Sequence, residues 1–137
     1  MSFSIRRSLN NVINQLVGTR PGLRITAWIF SKMSFGIPNQ RIVETETLLA
    51  FFHPDPAYEF HVVFVPKRPI ANLLELDASD NKFLQDLFER TKDVVSRYQL
   101  EKSGYRLILN GGPYQDFPYL HFHLISGPSK DDERIVK

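Results

Sequence analysis

The chain of 137 residues is long enough for one domain with a single core and too short for two ordinary ones. Its 17 Lys and Arg side chains against 15 Asp and Glu side chains give a net charge of +2 without a basic stripe, which argues against a dedicated nucleic-acid binder. The chain has no Cys, no apparent secretory signal and no run of about 18 apolar residues, so we expect a cytoplasmic protein without disulfides, thiolate metal sites or contact with a membrane.

The predicted elements begin with an amphipathic helix over residues 4–17, where apolar side chains recur at helical spacing before Gly18. Short runs rich in β-forming residues follow, separated by Gly, Pro and Asn. These predicted strands cover residues 24–30, 41–45, 48–53 and 61–66. The regular spacing is typical of an antiparallel meander.

A second, longer helix is predicted from one apolar stripe between Phe83 and Tyr98, with Asp77 and Ser79 as capping candidates. Two further strands, over residues 105–110 and 119–125, are joined by a loop rich in Gly and Pro. We therefore expect an α+β fold with an antiparallel sheet of about five strands, an N-terminal helix and one long helix. It would form a single domain over residues 1–137, with its core at 23–127 and a frayed tail at 128–137.

Two histidines stand out in the last predicted strand, because alternation places His121 and His123 on one face together with Tyr119. Their imidazoles would lie about 6–7 Å apart along the strand. The opposite, apolar face carries Leu120, Phe122 and Leu124. His53 and His61 also lie on or beside strands, so all four histidines are candidates for one site.

A His-x-His pair permits three interpretations: a transition-metal site, a nucleophile with an acid/base partner, or an ordinary sheet surface. Metal-binding barrels with this motif place a Glu shortly after it, whereas here no carboxylate follows before Asp131. The run Asn110-Gly111-Gly112 after a strand suits a phosphate site, because glycines allow close approach to backbone N–H donors, but it also suits a tight turn.

The run from Tyr119 to Gly127, Tyr-Leu-His-Phe-His-Leu-Ile-Ser-Gly, resembles the signature of the histidine triad (HIT) family. That signature has three alternating histidines, and Tyr119 stands at the position of the first. Segments 28–38, 49–56, 61–70 and 104–110 resemble other parts of the family pattern in the same order. The resemblance spans residues 28–127 and is nearest to the HINT/Fhit-like branch.

The resemblance implies catalytic roles for three histidines. His121 would attack an α-phosphorus, His123 would contact the phosphate and the leaving group, and His61 would lie near the nucleophile. A positive charge on His123 would help to stabilise the phosphate oxygens. Further predicted substrate contacts are Phe30, Met33, Phe52, His53, Asp55, Asn110, Gly111, Gly112, Gln115, Asp116 and Tyr119. Asp116 lies near the position where many members carry a Ser, so its carboxylate could repel a phosphate.

The implied activity is that of a nucleotide hydrolase or nucleotidyl transferase, such as a phosphoramidase, acting on AMP derivatives or dinucleoside polyphosphates through a covalent nucleotidyl-His121. It would need neither a metal nor a cofactor. Two alternatives stay open: a nucleotide-binding module with little turnover, and a metal-binding β protein built on His121, His123 and His61. The resemblance also implies a homodimer, for which Val94, Val95 and Tyr98 of the long helix would offer apolar surface.

Overall fold

Five strands form one antiparallel sheet in residues 41–53 and 55–131, the part of the chain that the computed structural model describes. The strands are β1 (Arg41–Glu44), β2 (Leu48–Phe52), β3 (Tyr58–Pro66), β4 (Arg106–Leu109) and β5 (Phe122–Ser129). Their order is β1-β2-β3-β5-β4, so the last strand of the chain lies inside the sheet between β3 and β4. The predicted helix over residues 4–17 and the predicted strand over 24–30 lie outside the described residues.

The predicted long helix is confirmed as α1 (Asn81–Arg97), and a short helix α2 (Leu100–Ser103) follows it. Of the capping candidates, Asp77 caps the turn Ala78–Asp80 in a reciprocal capping box with Asp80, whereas Ser79 donates to the Asp77 carboxylate and caps no helix. This turn leads directly into α1. No helix among residues 41–53 and 55–131 is long and apolar enough to cross a membrane.

One face of the sheet packs under α1 and forms the main core. Alternate residues of the strands point to this face, as the period of two requires. Its fully buried side chains include Leu48, Ala50, Val62, Phe64, Leu87 and Leu124. Val94 is also buried, and Tyr98 packs against Phe60, so these two residues do not offer the free apolar surface that the sequence predicted for a dimer.

The other face of the sheet is divided between a small apolar cluster and the histidines. Leu49, Val63 and Val65 surround Tyr119 there. The last strand begins at Phe122 and not at the predicted residue 119, because the preceding backbone bonds to loops. The Leu120 N–H donates to the Ile70 carbonyl at 2.8 Å, and the Tyr119 N–H donates to the Phe117 carbonyl at 2.8 Å.

A buried carboxylate ties α1 to the turn between β1 and β2. Asp86 accepts hydrogen bonds from the hydroxyls of Thr47 at 2.6 Å and Thr45 at 3.0 Å, and it pairs with Lys82 on its own helix. These hydrogen bonds, with that of Thr47 first among them, hold the pKa of Asp86 below its usual value. The helix is thereby fixed relative to the strands that carry the histidines.

Candidate active site

Four imidazoles form a row on the sheet face opposite α1. The ring centroids are 4.4 Å apart for His53 and His61, 5.0 Å for His61 and His123, and 4.7 Å for His123 and His121. Strand pairing explains the row, because β3 carries His61 beside the β5 residue Ile125, two positions from His123. Phe117 closes the row with its ring edge-on to His121, at a centroid distance of 6.5 Å.

Backbone hydrogen bonds set the tautomers of the central pair. The Ala57 N–H donates to Nδ1 of His61 at 3.1 Å, so this nitrogen carries a lone pair and the proton of the neutral ring lies on Nε2. His61 Nε2 is 2.8 Å from Nδ1 of His123, to which it therefore donates. The proton of neutral His123 must then lie on its own Nε2. Two imidazoles in series thus present one N–H group at the far end.

The tautomer of His121 is set in the opposite sense. Its Nδ1 lies 2.7 Å from the carbonyl oxygen of Tyr119, which can only accept, so Nδ1 carries the proton and Nε2 keeps its lone pair. The side chain is partly exposed. The site therefore places an unprotonated ring nitrogen on His121 beside the N–H donor of His123, which is the combination that nucleophilic attack with assisted departure requires.

Burial favours the neutral forms of His53, His61 and His123. It lowers the pKa of His61 to about 4, with smaller contributions from the neighbouring histidines and from Lys130. Burial and then His121 lower the pKa of His123 to about 4 as well, against an opposing effect of the Asp116 carboxylate. The structure therefore corrects the prediction that His123 carries a positive charge. In the ligand-free protein this side chain is neutral near pH 7 and offers an N–H group. Burial also lowers the pKa of His53.

Asn110 begins the loop that follows β4. β4 pairs with β5 so that Ile108 lies opposite His123 and Leu109 opposite Phe122. Asn110 follows Leu109 directly, two residues after Ile108, so strand alternation would turn its side chain to the histidine face. Gly111 and Gly112 come next in this loop, and Gly112 has a φ of 56°, which glycine adopts without strain.

Gln115 and Asp116 have different positions in this loop. The Gln115 side-chain amide donates to the carbonyls of Ala71 at 2.7 Å and Phe117 at 3.0 Å, which fixes the loop against the segment after β3. Asp116 is exposed, and its carboxylate is close enough to raise the pKa of His123. Substrate contacts by these two residues stay predictions.

The structure corrects the prediction that the Tyr119 side chain contacts the substrate. This side chain is fully buried, and its hydroxyl donates to the Pro66 carbonyl at 2.6 Å, with the Arg68 carbonyl at 3.2 Å. Burial raises the pKa of the phenol. Only the backbone carbonyl of Tyr119 reaches the candidate site, where it holds His121.

The predicted nucleoside contacts fall into three groups. His53 lies in the row, with its Nδ1 accepting the Asp55 N–H at 3.0 Å, and Asp55 is exposed beside it. The structure corrects the predicted nucleoside contact of Phe52, because strand alternation turns its ring to the face under α1, with its centroid 5.7 Å from that of Phe60. Phe30 and Met33 lie outside the described residues.

Two residues of the site were not predicted. The Ala57 backbone N–H sets the tautomers of two histidines, and nothing in a side-chain pattern signals a backbone donor. Phe117 lies against His121. Its position two residues before Tyr119 would have predicted the histidine face of the sheet, if the last strand had been predicted to begin before residue 119. Among residues 41–53 and 55–131, no group of three His, Asp or Glu side chains is arranged to hold a metal ion.

Comparisons with known proteins define the class to which this fold and site belong. The HIT domain profile matches residues 34–130. A HIT-like protein of Synechococcus elongatus is 37% identical over 95 residues, which cover 68% of this chain and 82% of the relative. A Candida albicans protein named adenosine 5'-monophosphoramidase is 30% identical over 113 residues, covering 76% of this chain and 71% of that protein.

The structural comparison agrees. A HIT family hydrolase from Clostridium thermocellum superposes with a TM-score of 0.64 at 30% identity, covering 77% of this chain and 91% of that chain. The chain belongs to the HIT domain family.

Proposed function

We propose that this protein is a nucleotide hydrolase or nucleotidyl transferase that acts on the α-phosphate of AMP derivatives or dinucleoside polyphosphates through a covalent nucleotidyl-His121. The observation that carries this proposal is the opposite tautomers of two adjacent rings: His121 keeps a free Nε2 lone pair, while His123 presents an Nε2–H. The names of the Candida relative and of the Clostridium hydrolase support the same reaction class.

In the first step His121 Nε2 attacks the α-phosphorus and forms an N–P bond. The bond from phosphorus to the leaving group breaks, and its electron pair goes with the departing nitrogen or oxygen, which takes a proton from solvent while the Nε2–H of neutral His123 donates a hydrogen bond to the phosphate or the leaving group. The Tyr119 carbonyl remains hydrogen-bonded to Nδ1–H of His121, where it stabilises the positive charge that the modified ring acquires.

In the second step water attacks the same phosphorus. Its oxygen remains in the AMP product, one of its protons stays on the phosphate and the other passes to solvent, which replaces the proton that the leaving group took, and the electron pair of the N–P bond returns to His121. Asn110 and the N–H groups of Gly111 and Gly112 are proposed to bind the phosphate oxygens, which the position of these three residues directly after β4, the strand paired with β5, supports.

The first experiment measures turnover of an AMP phosphoramidate in the first seconds and in steady state. We expect a burst of released amine of one equivalent per site, followed by slower release of AMP. His121→Ala should lose turnover by on the order of 10³-fold or more while it keeps its fold and its AMP affinity. The matched histidine control is His53→Ala, which should raise KM more than it lowers kcat.

Two outcomes would contradict this proposal. If the unmodified protein binds AMP without turning over any AMP derivative, it is the nucleotide-binding module that the sequence left open. If prolonged treatment with a chelator abolishes activity and zinc restores it, the metal-binding interpretation gains support. We expect activity to survive chelation, since the reacting groups are side chains and the lone pair of His123 Nδ1 already accepts a hydrogen bond from His61.

A further inference from the structure

Backbone N–H groups of the segment between β2 and β3 hold two imidazoles of the row. The residues at positions 54 and 56 are prolines and have no N–H, so the amide donors of residues 54–57 are those of Asp55 and Ala57. The Asp55 N–H donates to Nδ1 of His53 at 3.0 Å, and the Ala57 N–H donates to Nδ1 of His61 at 3.1 Å. Both rings, when neutral, therefore carry their proton on Nε2.

The two prolines also restrict the direction of these donors. Proline fixes its own φ, and it confines the residue before it to extended backbone. Each of residues 53–56 is either a proline or the residue before one. A segment with so little backbone freedom loses little entropy when its N–H groups are directed at the two rings.

Ala57 is held by its carbonyl as well as by its N–H. The carbonyl accepts the Lys130 N–H at 2.9 Å, which joins the segment to the end of β5. The His53 N–H donates to the His61 carbonyl at 2.9 Å, so the other end of the segment is bonded to β3. The Lys130 N–H therefore fixes the residue whose own N–H fixes the ring of His61.

The tautomer of His61 decides which atom His123 offers to a substrate. In the present arrangement His61 Nε2–H donates to His123 Nδ1, and the proton of neutral His123 lies on Nε2. If the proton of His61 moved to Nδ1, its Nε2 would accept, His123 would donate from Nδ1, and His123 Nε2 would keep a lone pair. That lone pair would repel the phosphate oxygen or leaving group that the N–H would bind.

We infer that Ala57 is a positioning residue of the proposed reaction: its N–H, held in place through the Lys130 N–H, acts through His61 to keep a proton on Nε2 of His123. This inference rests on the proposed function for its effect on turnover. The tautomers themselves can be measured without any substrate, so the two can fail separately.

The first measurement is the spectrum of the protein labelled with nitrogen-15 in its histidines, in mildly alkaline buffer. A ring nitrogen with a proton and one with a lone pair differ widely in chemical shift. The chain has four histidines and all of them lie in the row, so every ring signal reports on the site. We expect a protonated Nδ1 in His121 and an unprotonated Nδ1 in the other three, assigned with variants that replace one histidine at a time by Gln.

The second measurement removes the donor and keeps the side chain. Lactic acid in place of Ala57 exchanges the N–H for an oxygen, and the same exchange at Ala71, whose N–H donates to Glu75 outside the row, is the matched control. In the exchange at position 57 we expect the proton of His61 to move to Nδ1. We also expect kcat for an AMP phosphoramidate to fall by about 10- to 100-fold and KM to change by less than about threefold.

Ordinary substitutions test the bond between Lys130 and Ala57. Lys130→Pro removes the N–H, and proline fits this position because the Asp131 N–H donates to Ser129 Oγ at 3.1 Å, the capping geometry after which proline is tolerated. Lys130→Ala removes the side chain and keeps the N–H, so the difference between the two variants isolates the backbone donor. We expect kcat of Lys130→Pro to be about threefold to tenfold below that of Lys130→Ala.

Each contrary outcome identifies a different error. A His123 proton that stays on Nε2 after the exchange at Ala57 would overturn the inference and leave the proposed function intact. Inverted tautomers with an unchanged kcat would also overturn it, because turnover would then not need the Nε2–H of His123. Equal losses of kcat and of melting temperature in the exchanges at positions 57 and 71 would show a merely structural role. The expected ring signals without any turnover in the unmodified protein would overturn the proposed function, and the positioning role with it.

Discussion

Successive residues of the central strand β5 point to opposite faces of the sheet, and the two faces have different roles. Phe122 and Leu124 point to the face under α1, where they belong to the main hydrophobic core and are buried. His123 points to the other face, into a row of imidazoles that remains partly open. The same backbone thus serves the core on one side and the candidate chemistry on the other.

The comparison of the two faces shows how a chain can hold four imidazoles close together on one side of a sheet. Charged imidazoles would repel each other, and burial lowers the pKa of His53, His61 and His123, while the hydrogen bond from the Ala57 N–H requires a lone pair on His61. A rigid support is needed for hydrogen bonds of such fixed direction. The face under α1 provides this support, so substitutions on the two faces should affect stability and turnover differently.

The largest effect on stability is expected on the helix face. Leu124→Ala leaves a cavity beside fully buried neighbours and should lower the free energy of unfolding by about 2–5 kcal/mol, measured in urea. His121→Ala, three residues earlier on the other face, is the matched control and should change stability by less than about 1 kcal/mol. Similar losses for both variants would mean that the two faces do not have separate tasks.

This division could be predicted in part from the sequence. The period of two in residues 119–125 predicted which side chains share a face, and the apolar stripe predicted α1. The convergence of His61 with His123 depends on the pairing of β3 with β5, which are far apart in the chain, so only the family resemblance could imply it. The burial of Tyr119 was not predictable, because its partners are the backbone carbonyls of Pro66 and Arg68.

The imidazole face predicts a specific loss of stability in mild acid. The pKa of His61 and of His123 is about 4 in the folded protein against 6.5 for an ordinary histidine, so the unfolded chain binds more protons between these values. The free energy of unfolding should therefore fall as the pH is lowered from about 6.5 to about 4, by at most roughly 3 kcal/mol for each ring, and by less for the partly exposed His123.

Urea unfolding at several pH values measures this loss, and His61→Gln is its control. The variant removes one titrating ring and should flatten the slope between pH 6.5 and pH 4. Asp80 and Asp86, whose pKa values are held below 3.8 by hydrogen bonds, lose their contribution only at lower pH. An unchanged slope in His61→Gln would show that other groups cause the acid sensitivity.

The outer edge of the sheet offers a third surface, which we expect to join two copies of the chain. β4 ends the strand order and leaves one edge unpaired in the described part of the chain. Beside it lies a groove of about 490 Å³ lined by Phe88, Val95, Tyr105 and Leu107, with Phe88 60% exposed. We predict a homodimer through this surface. Light scattering should give twice 15.9 kDa, and Phe88→Glu should reduce the mass to that of one chain.

The smallest effect is expected at Tyr119, which serves both parts of the face opposite α1, the small apolar cluster and the histidine row. Its side chain is part of the small apolar cluster, whereas its carbonyl orients His121. Tyr119→Phe keeps the ring and the carbonyl but leaves the Pro66 carbonyl without its donor, so we expect a loss of stability of about 1 kcal/mol and a change in turnover of less than tenfold. Tyr119→His should be more destabilising, because an imidazole fills less of the buried space and brings a second polar nitrogen into it. Turnover of an AMP phosphoramidate by both variants, each compared with its own unfolding curve, separates the two roles. A large gain of activity in Tyr119→His over an inert unmodified protein would contradict this account, since it would mean that the side chain at this position, and not its carbonyl, determines catalysis.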